Sequence, residues 1–497
     1  MCRRIAMLGA AAAVTLSACS LDLTNPNQPT VTSALTNPRA ATSLMIAGVL
    51  ATYRDLRAAQ IRAFGSFGRE TYFMFLTDGR FITGPYRDWA LNTSFEAGTQ
   101  WGGVAPTRYG NYRNARAAMQ VINNAPNCPT PCPNPVLFTA AEKAGALGVL
   151  KTSIALDMLH VIEARGAIGA VVDMTDDINA ALPFVSEDSV YKWISAMLDD
   201  ANTNLIAAGT TPFYFPMHDG FGAFGVTANT PAGFNQFNRA LKARVEVKRG
   251  SLGCGAPCYT TALTALGGTW IANLTSANRD NGVYVVYSTA AGDALNTIAW
   301  GNTTDPHVHP SIDSITGVAT DSRYRRKVAI VGNAVCDTTA ATRTESGVTS
   351  THRPCTYPSN VSPIPIIRNE ELILLRAEAE WFTGNTVGGT ADLALVRDSS
   401  GSAGGGVAAV KFAAPTTADQ FTQELLLQRT LSLYQEAQRW VDYRRLGHLA
   451  DLGTLSQDVT AGFTVAPYSV LPLQECLARA RVGNPGGIPR SCPGGPP

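Results

Sequence analysis

Charge is scarce in this chain. Asp, Glu, Lys and Arg make up 15% of its 497 residues, against roughly 25% in an ordinary soluble domain. Acids and bases nearly cancel, at a net charge of +1. That balance leaves no electrostatic footprint for a nucleic-acid partner. Histidine is rare as well, with six in all. No phosphate-binding loop, no GxGxxG running into a helix and no G-x-S-x-G elbow is found, so nucleotide chemistry and serine hydrolysis are unsupported and no cofactor is expected. Beyond residue 18, no stretch reads as long and apolar enough to cross a bilayer.

What is present begins with the N-terminus. Arg3 and Arg4 precede a short apolar run, Ile5 to Leu16, which ends in Leu16-Ser17-Ala18-Cys19. A basic start, an apolar stretch too short for a span and small residues at a cut describe a secretory signal over residues 1–18. Leu16-Ser17-Ala18-Cys19 resembles the lipobox of bacterial lipoproteins, which makes Cys19 the candidate lipidation site; the alternative is ordinary secretion with a chance thiol. Acylation would give a membrane attachment through the lipid alone, since each buried CH₂ contributes about 0.8 kcal/mol. Loss of Arg3 and Arg4 with the signal turns the net charge of +1 to −1. Residues 19–36 are polar and proline-punctuated, an extended tether onto a body at 37–497.

Beyond Cys2 and Cys19 the cysteines fall into near neighbours: Cys128 and Cys132, Cys254 and Cys258, Cys336 and Cys355, Cys476 and Cys492. An even set in an exported chain points to local disulfides. The two C-x₃-C pairs are also a loose match to a zinc site, without nearby histidines to complete it.

Helical signals dominate the body. Thr139 and Glu142 have capping-box spacing ahead of a stripe from Leu147 to Ile162. Ser186 precedes an acidic turn and a stripe from Tyr191 to Leu205. Thr230-Pro231 opens a helix that runs to Lys248, with Gly250 as a stop. Asn369 leads a helix that ends at Gly384. Thr417 and Gln420 open one that continues through Leu427, Leu431, Tyr434 and Val441. Short connections predict helix pairs. Long Gly/Thr/Asn/Pro-rich stretches at 206–230, 276–365 and 398–416 predict functional loops with small strands, of which Val283 to Tyr287 is the clearest. The expected fold is mainly α, with an irregular, disulfide-pinned loop surface.

Several groups have both a chemical and a structural reading. Glu378, Glu380, Glu436 and Asp442 with Arg439, Arg444 and Arg445 could supply catalytic carboxylates, but their three- and four-residue spacings also fit ion pairs on or between helices. Trp440 is a core residue or a ligand platform. His307 and His309 could ligate a metal or mark an exposed turn; two histidines make no site, so no metal is expected. The run from Arg323 to Lys327 could meet an anionic ligand, a lipid or a partner, or lie as a solvated edge. Sugars stack on exposed rings, which makes Tyr72, Phe73, Trp89, Trp101, Tyr109, Trp300 and Tyr324 the candidate ligand contacts. Residues 64–113 are the densest aromatic-polar mixture in the chain.

Two late stretches carry a resemblance. Arg368-Asn369-Glu370-Glu371-Leu372-Ile373-Leu374-Leu375-Arg376-Ala377-Glu378-Ala379 with Gly384-Asn385, and Leu427-Gln428-Arg429 with Glu436, Arg439-Trp440, Asp442 and Arg444-Arg445-Leu446-Gly447, resemble signature helices of the SusD/RagB family of outer-membrane nutrient-uptake lipoproteins. Leu21-Asp22 after Cys19 resembles that family's mature start. Gly145–Gly169, Tyr191–Leu205 and Thr230–Gly250 resemble its successive helices. Gln428 and Ser432 stand where acids are expected, and Ala437 where a glycine is. The resemblance implies tetratricopeptide-like helix pairs with long irregular loops and a few short strands. It implies a surface-exposed lipoprotein, not an enzyme, that binds an oligosaccharide or peptide and passes it to a TonB-dependent outer-membrane β-barrel transporter. The alternatives are an exported lipoprotein glycoside hydrolase and a helical-repeat scaffold without a small ligand.

Overall fold

A computed structural model describes residues 34–75, 77–88, 104–175, 177, 180–300, 306–329, 336, 342–402, 414–492 and 494–495. The fold is built on long helices whose ends obey local chemistry. In α1 (Pro38–Phe67) the Asn37 side chain accepts from the Ala40 amide and Pro38 takes the first turn, where its missing N–H is no loss. After α2 (Val104–Asn124), the helix α3 (Ala140–Arg165) opens on the complete Thr139–Glu142 capping box. Next, α4 (Glu187–Ala208) is capped by Ser186, and Glu187 and Asp188 lie in its first turn, where the helix dipole favours acids. Thr230 caps α5 (Pro231–Arg249), with Pro231 in its first turn. Then come α6 (Ala256–Leu266), α7 (Asn369–Phe382), α8 (Thr386–Val396), α9 (Ala418–Ser432), α10 (Arg439–Arg445) and α11 (Leu473–Arg481).

Each long helix from α1 to α6 packs on the next in the chain, α6 packs on α7, and α7 on α8. Ile46, Phe64, Leu150, Ile162, Tyr191, Phe234, Leu372 and Trp440 share one apolar core. The α3–α4 crossing is so close that a Cβ at Gly148 would sit 2.5 Å from the Leu205 side chain. Residues Ala140–Ile168 meet the length and composition of a membrane span, which corrects the expectation that no such stretch exists; 89% of the apolar window is buried inside the protein, as befits a core helix.

The long loops carry five two-stranded ribbons among the described residues. Thr71–Phe73 pairs antiparallel with Pro306–Val308, and Gly282–Val285 with Ile364–Arg368. Val328–Ala329 pairs with Arg353–Pro354, and Arg343–Glu345 with Val348–Ser350. Asn127–Cys128 lies parallel to Phe138–Thr139. Disulfides join Cys128 to Cys132, Cys254 to Cys258, Cys336 to Cys355 and Cys476 to Cys492, which occupies every thiol of the C-x₃-C pairs.

Two helix boundaries differ from expectation. Gly250 is the C-cap of α5, as expected, but it keeps helical dihedrals and carries the chain into a π-helical turn. A Cβ there would meet the Tyr259 ring at 2.7 Å, and helical geometry is lost at Leu252 and Gly253, the latter with φ +111°. The stripe from Leu427 to Val441 is two helices, α9 and α10, separated by Gln435 and Ala437 at φ +59° and +60°. That left-handed conformation suits glycine best, and Ala437 is where the family pattern has one.

The helices around this break are tied by buried charges. Arg445 donates to both oxygens of Glu378, at 2.5 and 2.8 Å, and its Nε reaches Asp442 at 2.9 Å. Asp442 also accepts from Arg429 at 2.6 Å. Burial alone would raise the Asp442 carboxyl, but Arg429 and Arg445 outweigh it and hold it below the usual range. Glu378 and Asp442 are therefore interhelix ion-pair groups, and Glu436, in the break before α10, pairs with Arg368 at 2.8 Å. Removing one partner of such a pair strands a buried charge. Arg445→Met is expected to cost about 3–5 kcal/mol, measured as a shift of the urea midpoint; a loss below 1 kcal/mol would contradict this account of the α7–α10 contact.

Candidate ligand-binding site

The rings expected to meet a ligand are dispersed. Trp89, Trp101 and the lipidation candidate Cys19 lie outside the described residues. Tyr72 is fully buried; its hydroxyl donates to Asp458 and accepts from Gln457 Nε2 at 3.1 Å. His309 closes the same cluster, 2.9 Å from Asp458 Oδ2 and with its ring tilted at 50° to the Tyr72 ring, 4.5 Å away. Burial, helped by Arg69 and Arg439, brings the His309 imidazole down to about 4 against the pull of Asp458. Tyr72 is thus a core hydroxyl, and His307 and His309 are buried with their strand rather than forming an exposed turn.

Tyr324 is also buried, its hydroxyl on Asp313 at 2.7 Å. The basic run around it is the short helix Ser322–Lys327 and no solvated edge. Arg323 is wholly buried and donates to Asp321, Gln428 and Ser432. Gln428 and Ser432, the two departures from expected acids, serve as its neutral acceptors. Phe73 is buried too. Trp300 is half-buried, with the Arg353 guanidinium 3.9 Å from its ring centre. Trp440 is a core residue, between Phe64 and Phe67 at 5.1 and 4.8 Å, with its Nε1 donating to the Ala466 carbonyl at 2.7 Å.

Beside the Tyr72 cluster lies Glu70, buried, with Oε1 accepting from the Gln435 amide at 3.3 Å and Oε2 without a hydrogen-bond partner. Burial pushes its carboxyl from 4.5 up to about 7, with Arg439 and Gln435 opposing. The folded protein keeps this proton to near neutrality while the unfolded chain loses it near the ordinary value. Stability from this group therefore falls as pH rises between those two values and is level above them. Glu70→Gln removes the dependence. It is expected to gain about 2–3 kcal/mol over the parent at pH 8 relative to pH 4, checked by urea unfolding at both pH values.

Tyr109 does line a cavity, one of about 530 Å³, a size that suits a small ligand or the end of an oligomer. Its walls come from α2 (Tyr109 and Arg113), the end of α3 (Arg165), the segment around Asp177 to Phe184, and α11 (Glu475 and Arg479). The Tyr109 hydroxyl is fixed on the Val171 backbone, at 3.1 Å to both amide and carbonyl. Arg479 stacks 4.3 Å from the Phe184 ring centre, pairs with Glu475 at 2.7 Å and donates to the Leu182 carbonyl at 2.7 Å. Arg165, drawn down to about 10 by burial against the pull of Tyr109 and Glu475, holds the Ser469 and Val470 carbonyls. The Cys476–Cys492 disulfide clasps α11 in place. Rings, guanidinium groups and carboxylates thus converge on one concavity, a set able to hold a polar, partly apolar ligand. Phe184, Glu475 and Arg479 escape sequence reasoning. The one local signal is the Glu475–Arg479 spacing beside Cys476.

The architecture is that of a helix-pair scaffold carrying a cavity walled by helices and one connecting segment. The model of the SusD family matches residues 350–464, which hold Arg368, Glu378, Arg445 and Trp440. Solved structures share the fold along nearly the whole chain. B. fragilis NanU is 15% identical over 94% of this chain and 99% of its own, with a TM-score of 0.59. A SusD superfamily protein from Bacteroides vulgatus is 12% identical over 91% and 98%, TM-score 0.63. A laminarin-binding SusD-like protein is 14% identical over 88% and 97%, TM-score 0.57. No curated protein sequence matches the chain. The chain is SusD/RagB-like, in fold along its length and in sequence over residues 350–464.

Proposed function

We propose that this protein is an outer-membrane lipoprotein, anchored through Cys19, that captures an oligomeric nutrient and delivers it to a TonB-dependent β-barrel transporter. The supporting observation is a SusD-like fold over nearly the whole chain together with an accessible cavity that presents Phe184, Tyr109, Arg479 and Glu475. A glycan is the favoured ligand. Apolar sugar faces suit the exposed edges of the cavity rings, and hydroxyls suit its guanidinium and carboxylate groups. A relative bearing the name laminarin-binding points the same way; a peptide is the second choice. The protein carries no reaction on this reading, and Glu378, Glu436 and Asp442 are already engaged by arginines.

Titration of the soluble body with oligosaccharides and peptides by calorimetry tests the binding role. Phe184→Ala is expected to weaken a bound glycan by about three- to tenfold, the worth of one ring contact, with the fold unchanged by circular dichroism. Turnover of an oligosaccharide, or binding indifferent to Phe184 and Glu475, would turn the argument toward the hydrolase or scaffold alternatives. Cys19→Ala is expected to release the protein from membranes, and mild-detergent capture of the acylated form to bring a large β-barrel with it.

A further inference from the structure

We propose a second ligand site, for a neutral hydroxyl-rich molecule such as a saccharide, in a cleft of about 740 Å³ where α9 and α10 face the turn at 311–316. No residue lines both this cleft and the Tyr109 cavity. Its wall contains two buried side chains that each keep one polar atom without a hydrogen-bond partner. Arg439 is 7% exposed; one terminal nitrogen donates to the Arg69 carbonyl and, at 3.3 Å, to Ser311 Oγ, while its Nε has no partner. Thr430, 3% exposed, has an unpartnered Oγ1. Both atoms lie just behind the cleft wall, closed to solvent, and an unpaired buried polar atom is unfavourable, so a slight side-chain rotation toward a ligand that supplies oxygen atoms would satisfy them. Other unpartnered buried groups, such as Arg108 and Asn111, line neither cavity.

The remaining lining selects the class. Tyr443 is half-buried, with its ring beside the Arg439 guanidinium at 5.2 Å. Leu426 and Leu427 form an apolar floor near it. One ring, an apolar floor and single donors and acceptors fit the two chemistries of a sugar ring, an apolar face and an edge of hydroxyls. An anion fits poorly. The single guanidinium is largely committed to a backbone carbonyl, and the Asp451 carboxylate, paired with His448 at 2.8 Å, stands in the same cleft. Ser314 and Thr316 add exposed hydroxyls at the mouth.

Hydrogen–deuterium exchange of the full acyl-free body, with laminarihexaose, maltohexaose and xylohexaose each in turn, tests this directly. At least one sugar is expected to protect residues 311–316 and 447–454, and Tyr443→Ala to weaken that protection about tenfold in concentration. Thr430→Val, close in shape, is expected to lower the same affinity without loss of stability. Phe184→Ala is expected to leave it unchanged. Protection confined to α2 and α11 would overturn the second site and leave the first standing. Protection confined to the α9–α10 cleft would do the reverse. Protection by phosphate or sulfate but by none of the sugars would overturn the assignment to a neutral ligand.

Discussion

The structure depends on mating buried charges across helices that apolar packing alone would leave free to slide. On α7, Glu371 and Glu378 are both buried, and each is met by an arginine from a different helix: Arg244 of α5 and Arg445 of α10. Glu370, also buried, pairs with the neighbouring Arg368, which in turn holds Glu436 in the break before α10. Burying such pairs brings little net stability, because desolvation offsets most of the attraction. Their effect is on position. A register shift of one turn would leave at least one carboxylate and one guanidinium buried alone, at several kcal/mol each, about the whole margin of a folded domain. A chain with few charges has thus placed many of them where their geometry selects the arrangement.

The same economy explains which parts of the architecture sequence could reveal. Helix starts were legible because caps are local: Thr139 with Glu142, Ser186, Thr230 and Thr417 each satisfy the amide three residues on. Exposure is not local. Tyr72, His309 and the Arg323 helix look like surface chemistry in a Gly- and Asn-rich stretch, yet their partners Asp458, Gln428 and Ser432 lie more than a hundred residues away. A polar residue is buried when a distant acceptor meets it, and no periodicity records that.

The Tyr109 cavity has the same non-local origin. Tyr109 could be singled out as an aromatic near Arg and Gly, but its opposite wall is α11, over 360 residues on in the sequence. What makes α11 a wall is a pair of fixings: the Cys476–Cys492 disulfide, and Arg479, which reaches both Glu475 on its own helix and the Leu182 carbonyl. The cysteine spacing was visible and the loop it closes was not. A cavity assembled from α2, the end of α3, one loop and a clasped terminal helix can change its lining residue by residue while the helix pairs beneath stay as they are. Relatives at 12–15% identity that keep the fold over nearly their full length are what such a division permits.

Polar burial then sorts into two kinds. Around α7 and α10, Arg445, Glu378, Asp442 and Arg244 have their strongest donors and acceptors matched within the protein, which suits groups whose work is to set register. At the α9–α10 cleft, Arg439 of α10 and Thr430 of α9 each keep an unmatched atom just behind the wall of an open space. A scaffold rigid enough to tolerate that cost must be held by the first kind of group. Asp442 grips Arg429, one residue before Thr430, and lies three residues beyond Arg439. That ion pair therefore fixes the backbone that carries Thr430 and Arg439, and a concave polar surface can remain open without collapsing onto its own side chains.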